Sequence, residues 1–589
     1  MTTTLRPRNV KRRVAFRDFK GLNRSLDRTM IQDGQFYILT NLLPLGAGTL
    51  WSVPGVRPVD GTASGQVYHL QNVFPLLEIS GTAQTLFYGA FCGDAGRTYL
   101  LSVDRWLYVE TTPRSGDNIL NARLVVDKNA GYDVWDASVA FLADPSLGLF
   151  YLSPQTTTPP SQVGGAALGP NLFFHSFPST AFGGASLSTP TRASTLATYA
   201  GRLWVASPDS NGQVRTLYFS APGDWTDYRT STAGGSVVFT ESNLTIGISQ
   251  MIPANGQLFV VCDSSVWVIF NVSVDSTGLT IFERLNLIPD TGTPYSRGSI
   301  FYQNNLLLIN QQGVYQIFGG VCRKISYDLD GLWPYIDFTH EPVALVLTVK
   351  GVTFPAFQVH LADPVSGIQA HCFLCVLNGN WFILDPGLGD NGVMHSVSYS
   401  WQGKRRLLSV FTDPLLNTTT YDMFSSPSAD LPAVLASKLM SFQEDSQEKE
   451  VTHAGLSVIS DGFTFDGVLT TLSDDFSVST AAVPVSEFTQ WVNNVGQPVT
   501  WSSPGVVDSA NATVWRNDSG VVVNWKNNSG AVVAWSSAIV TWSSGKRYRI
   551  SANPSVHDEH FGVKLTSASR GYTVTSVFFE VITRSDMEV

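Results

Sequence analysis

Cys372 and Cys375 have the Cys-x-x-Cys spacing of a redox or metal pair. They sit inside the apolar run His371–Val376, with no second such pair and no βαβ context, so they read as buried core thiols. The chain has five cysteines, an odd and sparse set that does not suggest a disulfide framework. Its nine histidines are dispersed. His360, His371 and His395 flank apolar runs and read as structural or solvent-exposed rather than as metal ligands. There is no phosphate-binding loop, dinucleotide fingerprint, Gly-x-Ser-x-Gly elbow or His-Glu-x-x-His pair. No catalytic residue, metal or cofactor is assigned, and the expectation is a protein that is not an enzyme.

Two other groups of residues can meet partners. Residues 1–28 hold nine Lys or Arg against Asp18 and Asp27, a net of +7; the whole chain is at −10, which leaves −17 for the rest. Arg6, Arg8, Lys11, Arg12, Arg13 and Arg17 form the core of this basic arm. It is either a solvated tail or a docking arm for an acidic neighbour or nucleic acid. A body this acidic does not favour tight DNA binding, but it suits a wall that DNA slides past. Six Trp punctuate residues 491–542. The copies Trp515-Arg-Asn-Asp-Ser-Gly-Val-Val-Val-Asn and Trp525-Lys-Asn-Asn-Ser-Gly-Ala-Val-Val-Ala repeat at ten residues. Their Asn/Asp-Ser-Gly turns tolerate positive φ, and the Val runs are strands, so this reads as a β-meander. Trp515, Trp525 and Trp535 would line one face, stacked for stability or offered to sugars or a neighbouring subunit.

The elements that must carry these groups are hairpins. Gly201-Arg202-Leu203-Trp204-Val205-Ala206 returns through Leu217-Tyr218-Phe219-Ser220. Gly256-Gln257-Leu258-Phe259-Val260-Val261 returns through Val266-Trp267-Val268-Ile269-Phe270. Asn305-Leu306-Leu307-Leu308-Ile309 returns through Val314-Tyr315-Gln316-Ile317-Phe318. The anchors Leu203, Leu258 and Leu306 lie 55 and 48 residues apart. Weaker versions occur at 98–109, 149–152, 357–376 and 407–424. A sandwich or several small barrels would also alternate strands and turns. The recurrence favours an all-β fold with a β-propeller of about six or seven blades. The expected layout is a basic N-terminal arm over 1–40 and the propeller over 41–430. A loop or insertion falls around 160–196, and a β-rich C-terminal domain over 431–589 carries the Trp meander. Leu431–Met440 is expected as a short helix, and Pro54-Gly55 as a hairpin turn. There is no apolar run of 18 residues and no apolar stretch behind the basic N-terminus. No membrane insertion or secretory signal is expected.

Three phrases near the N-terminus stand in a telling order. They are Phe19-Lys20-Gly21-Leu22-Asn23, the element from Asp33-Gly34 to Asn41, and Gly48-Thr49-Leu50-Trp51 leading to Pro54-Gly55. Ser220-Ala221-Pro222-Gly223-Asp224-Trp225 follows the first strong hairpin, and Gly571–Val581 reads as a closing strand. Together they resemble bacteriophage tail-nozzle and packaged-DNA stabilisation proteins of short-tailed phages. The resemblance spans most of the chain as scattered short phrases. It implies a structural virion protein of the tail, a nozzle or hub that lines and closes the DNA exit channel, retains packaged DNA and opens on ejection. It implies a homo-oligomer of six copies, contacts with adjacent tail or adaptor proteins and with tail fibres, and double-stranded DNA passing without specific binding. A second reading is a carbohydrate-binding or glycosidase-like propeller of a phage tail or secreted protein. Ser273-Val-Asp275-Ser-Thr-Gly278-Leu-Thr280-Ile-Phe282 comes near the Asp box of sialidases with one extra residue, and Ser207–Gly212 is a poorer copy. Both equally fit hairpin turns. Glycoside hydrolysis needs two carboxylates facing across a sugar at about 5–10 Å, and acids are sparse in these motifs.

Overall fold

The computed structural model describes residues 10–45, 48–58, the strands between 70 and 176, 193–485 apart from short loops, and 546–583 apart from a short loop. Among the described residues there are strands and three short 3-10 helices, and no α-helix. Among the described residues no helix is long and apolar enough to cross a membrane.

The chain forms two compact units: residues 20–45 with 53–438, and residues 1–19 with 46–52 and 439–589. The first is a seven-bladed β-propeller. Blades 1 to 6 each run through four consecutive antiparallel strands: 70–109, 131–176, 195–238, 248–288, 299–324 and 343–384. Blade 7 takes three strands from 393–422 and its outer strand, Arg57–Pro58, from the segment just before blade 1. The first strand of each blade neighbours the first strand of the next, and that of blade 7 neighbours that of blade 1. The ring is therefore closed by a strand borrowed from the start of the chain. Arg57 and Arg406 both pair with the buried Asp422 at this closure.

The repeated phrase has a physical cause at each end. The turns joining first to second strands are Ala200-Gly201, Asn255-Gly256, Gln303-Asn304 and Lys350-Gly351, and both residues of each lie at positive φ. That is the geometry of the two-residue type I′ hairpin, whose twist matches the strands it joins. The second strands that follow are buried on both faces, because each blade is packed between two neighbours. Leu203 and Val205 face blade 2 with Phe141, while Trp204 and Ala206 join Leu258 and Val260 of blade 4. Phe259 and Val261 in turn pack on Leu306 and Leu308 of blade 5. Alternate side chains of one strand thus serve two interblade cores, which explains the unbroken apolar runs.

Several expectations need correction. The segment around Leu431–Met440 is no helix: Ala433–Ser437 is a strand, antiparallel to Phe36–Thr40. Its apolar residues fill a sheet position, and tertiary pairing overrides local helix propensity. Phe36–Thr40 itself continues the blade 6 sheet, parallel to Asn380–Leu384. Pro54-Gly55 is not a hairpin turn. Gly55 exchanges backbone hydrogen bonds with Ala429 and Ser426, far along the chain. The loop expected around 160–196 contains a strand, Leu172–Ser176, which is the outer strand of blade 2. The expected arm over 1–40 contributes to both units. Val10–Phe16 pairs in register with the closing strand Tyr572–Thr583, and residues 20–45 belong to the propeller.

In the second unit, Tyr572–Thr583 pairs with Lys449–Ser460, which also pairs with Lys546–Ala552. Phe465–Ser473 lies between Ser479–Val485 and Phe561–Ser567. The Trp-punctuated stretch 491–542, with Trp515, Trp525 and Trp535, lies outside the described residues.

Candidate functional site

Within each blade the first strand leaves, and the second strand returns to, the face that carries the interblade connections. On this face of blade 6 the structure assembles the main cluster of titratable groups. The connection from blade 5 passes through the 3-10 turn Trp333–Tyr335 and then lies along the second strand of blade 6. Ile336 bridges to Leu361, and the Asp337 backbone NH donates to the His360 carbonyl at 2.9 Å. His360 on strand Val352–Asp363 and His371 on strand Ile368–Leu377 are direct cross-strand partners. Three imidazoles therefore meet. Ring centroids are 4.4 Å apart for His340 and His360, 5.0 Å for His360 and His371, and 5.3 Å for His340 and His371.

Asp337 completes the group. Its Oδ1 accepts from the Thr339 backbone NH at 2.9 Å and from the Thr339 hydroxyl at 2.7 Å. Its Oδ2 stands 3.0 Å from His340 Nδ1. The bonds from Thr339 and His340 hold the carboxyl down at about 2, against a smaller opposing effect of burial. One ligand atom each from Asp337, His340 and His360 lies within 4.8 Å of the others. His371 is almost fully buried behind them.

Beside this cluster the N-terminal segment is clamped to the blade. Gly21, at φ +85°, lies so close to Trp381 that a Cβ would stand 2.7 Å from the Trp381 carbonyl. The Leu22 NH donates to that carbonyl at 2.7 Å. Asn23 donates to Gln35 and Asp328, and Arg24 pairs with Asp363 at the end of the second strand. The phrase Phe19–Asn23 is thus a seam between the N-terminal segment and blade 6.

A cavity of about 270 Å³ lies on the propeller axis. The opening residues of the first strands line it, among them Thr195, Gln250, Ser299 and Ala344, together with Arg297 and Ser398. Gln250 accepts from Ser299 through both its NH and its hydroxyl, and Arg297 donates to the Ser396 carbonyl. The described lining residues include one cation and no carboxylate. Two-carboxylate hydrolysis would need acids from outside this set.

The residues singled out from sequence fall in different places. Lys11, Arg12, Arg13 and Arg17 are exposed. Lys11 pairs with Glu580 at 2.8 Å, and the Arg13 guanidinium lies over the Phe578 ring. Arg6 and Arg8 lie outside the described residues. Lys20 is also exposed, whereas Arg24 and Arg28 do internal work. The Arg28 guanidinium donates to the Ser437 carbonyl at 2.9 and 3.0 Å, and burial lowers its pKa to about 10. Cys372 and Cys375 are free and buried, and burial pushes both thiols up. Three positions apart on a strand, they point to opposite faces and cannot act as a pair. The Asp275 motif is the turn between the third and fourth strands of blade 4. Asp275 Oδ1 accepts from the NH groups of Thr277 and Leu279, and Phe282 packs edge-on to Trp204 and Phe219. In sequence His360 and His371 read as structural or solvent-exposed rather than as ligands, and nothing there singled out Asp337 or His340. The available signal was the near symmetry of His360 and His371 about the Asp363–Gly367 turn.

No protein-family model matches this chain, and no curated protein matches it. Solved structures give remote likenesses. The N-terminal domain of Nup159 is 8% identical at a TM-score of 0.31, over 66% of this chain and 98% of that one. Trypanosoma rangeli sialidase bound to DANA is 10% identical at 0.30, over 91% and 97%. The α-L-arabinanase of Cellvibrio cellulosa is 11% identical at 0.21, over 64% and 94%. The propeller assignment rests on this chain's own strand order and ring closure.

Proposed function

We propose that this chain is a structural subunit of a short-tailed phage tail, of the nozzle or hub kind. Its copies, six by the family resemblance, pack around the DNA exit channel, retain packaged DNA and let it pass on ejection. The observation that carries the proposal is an apolar outer rim on blades 4 and 5. Leu285 (53% exposed) and Ile281 (51%) lie on the outer strand of blade 4, Thr280–Ile288. Phe318 (63%) and Val321 (67%) flank the Gly319-Gly320 turn of blade 5's outer hairpin. A Cβ on Gly320 would stand 3.6 Å from Leu287, so the two edges adjoin. An apolar group on outer edge strands is what a subunit buries against another copy. The phrases behind the resemblance also hold structural seams: Phe19–Asn23 at blade 6, and Trp225 of Ser220–Trp225 against Phe141 of blade 2. The acidic balance of the body suits a wall that DNA slides past. The test is the mass of the assembly formed by the full chain, with and without charges placed on this rim.

The second reading is a carbohydrate-binding propeller, glycosidase-like in form. It is favoured by the axial cavity, where Gln250, Arg297 and Ser398 converge. Glycan-array binding by the purified chain, lost on Arg297→Ala, would support it over the first.

A further inference from the structure

We propose that Asp337, His340 and His360 form a binding site for a divalent transition metal of the zinc class, with the buried His371 ring packed against the two imidazoles. The donor set is one carboxylate oxygen and imidazole nitrogens, which suits zinc and its neighbours and not magnesium or calcium. The donors come from separate elements that the fold holds together. His360 and His371 are fixed by strand register, and Asp337 by its backbone bond to His360. The Thr339 NH and hydroxyl occupy Oδ1 of Asp337 and turn Oδ2 toward His340. This is the kind of outer-shell orientation that carboxylate ligands carry.

Metal bonds of about 2.0–2.2 Å place tetrahedral donors roughly 3.4 Å apart. The His340–Asp337 separation of 3.0 Å is a little shorter than this, and the ligand atoms of Asp337, His340 and His360 lie within 4.8 Å of one another. Ring rotation of His340, on a half-exposed connection, closes the remainder. A bound ion would staple the connection between blades 5 and 6 to the middle strands of blade 6. The inference does not depend on the phage reading.

The test uses the full chain, stripped with chelator and titrated with zinc chloride by calorimetry, then with cobalt chloride by visible absorption. The expected result is one tight equivalent with a tetrahedral or five-coordinate cobalt spectrum. Asp337→Asn and His340→Ala, both on the connection and outside the interblade cores, should each weaken it. The loss should exceed the roughly 10- to 100-fold typical of outer-shell changes. Circular dichroism confirms that both variants remain folded. No zinc binding by the wild-type chain, or equal binding by both folded variants, overturns the proposal.

Discussion

Arg24 and Asp363, 339 positions apart, form a bidentate ion pair with contacts of 2.9 and 3.2 Å, and both side chains are buried. Asp363 also accepts from the NH groups of Val365 and Ser366, so one carboxylate caps the blade 6 hairpin and anchors the N-terminal segment. Burial works against the charged form, but Arg24 and Ser366 outweigh it and hold the Asp363 carboxyl below its usual range. Arg24→Ala leaves a buried carboxylate without its counter-charge and should cost about 3–5 kcal/mol. Urea unfolding of wild type and variant checks this.

Two glycine substitutions should differ sharply. Gly21→Ala adds a Cβ 2.7 Å from the Trp381 carbonyl at φ +85°, against backbone that cannot move aside. Gly201→Ala keeps a positive φ of +65° but meets nothing within 4 Å. The second should cost about 1 kcal/mol, the first several times more. Thermal unfolding of the two variants gives the comparison.

The Asp337 carboxyl titrates at about 2 in the folded chain against 3.8 for the free group. Folding favours the ionised form, so this contribution is fully present above the unfolded value and is lost as pH falls toward 2. The stability difference between wild type and Asp337→Asn should be constant above about pH 5 and narrow below it. The effect should be small, since the side chain is 39% exposed. Denaturant titrations from pH 7 to pH 3 follow it.

The double variant Leu285→Glu/Phe318→Glu should break the assembly while leaving the fold intact, because both side chains are largely exposed. Mass photometry should then read monomers, with a melting temperature within a few degrees of wild type. An unchanged assembly would place the subunit interface elsewhere.

The hairpins were legible because their cause is local. Positive-φ pairs such as Asn255-Gly256, followed by strands buried on both faces, write the same phrase in each blade. The segments that join distant parts of the chain were not legible. Arg57–Pro58 completes blade 7, and Phe36–Thr40 with Ala433–Ser437 extends blade 6. Nothing within ten residues of any of these specifies its partner. The same limit hid the blade 6 cluster: strand register joins His360 to His371, but only the path of the interblade connection brings Asp337 and His340 to them. The basic residues read as one arm because charge is visible in sequence, whereas the burial of Arg24 is not.

The proposed role is that of an assembly subunit of a phage tail. Cryo-electron microscopy of the particle that carries it, beside the purified protein, tests this most directly. The expected result is a ring of copies at the tail, with blades 4 and 5 at the contact between neighbours and an axial channel wide enough for a DNA duplex. Particles that lack the protein, with a purified monomer that binds glycans through its axial cavity, would contradict it.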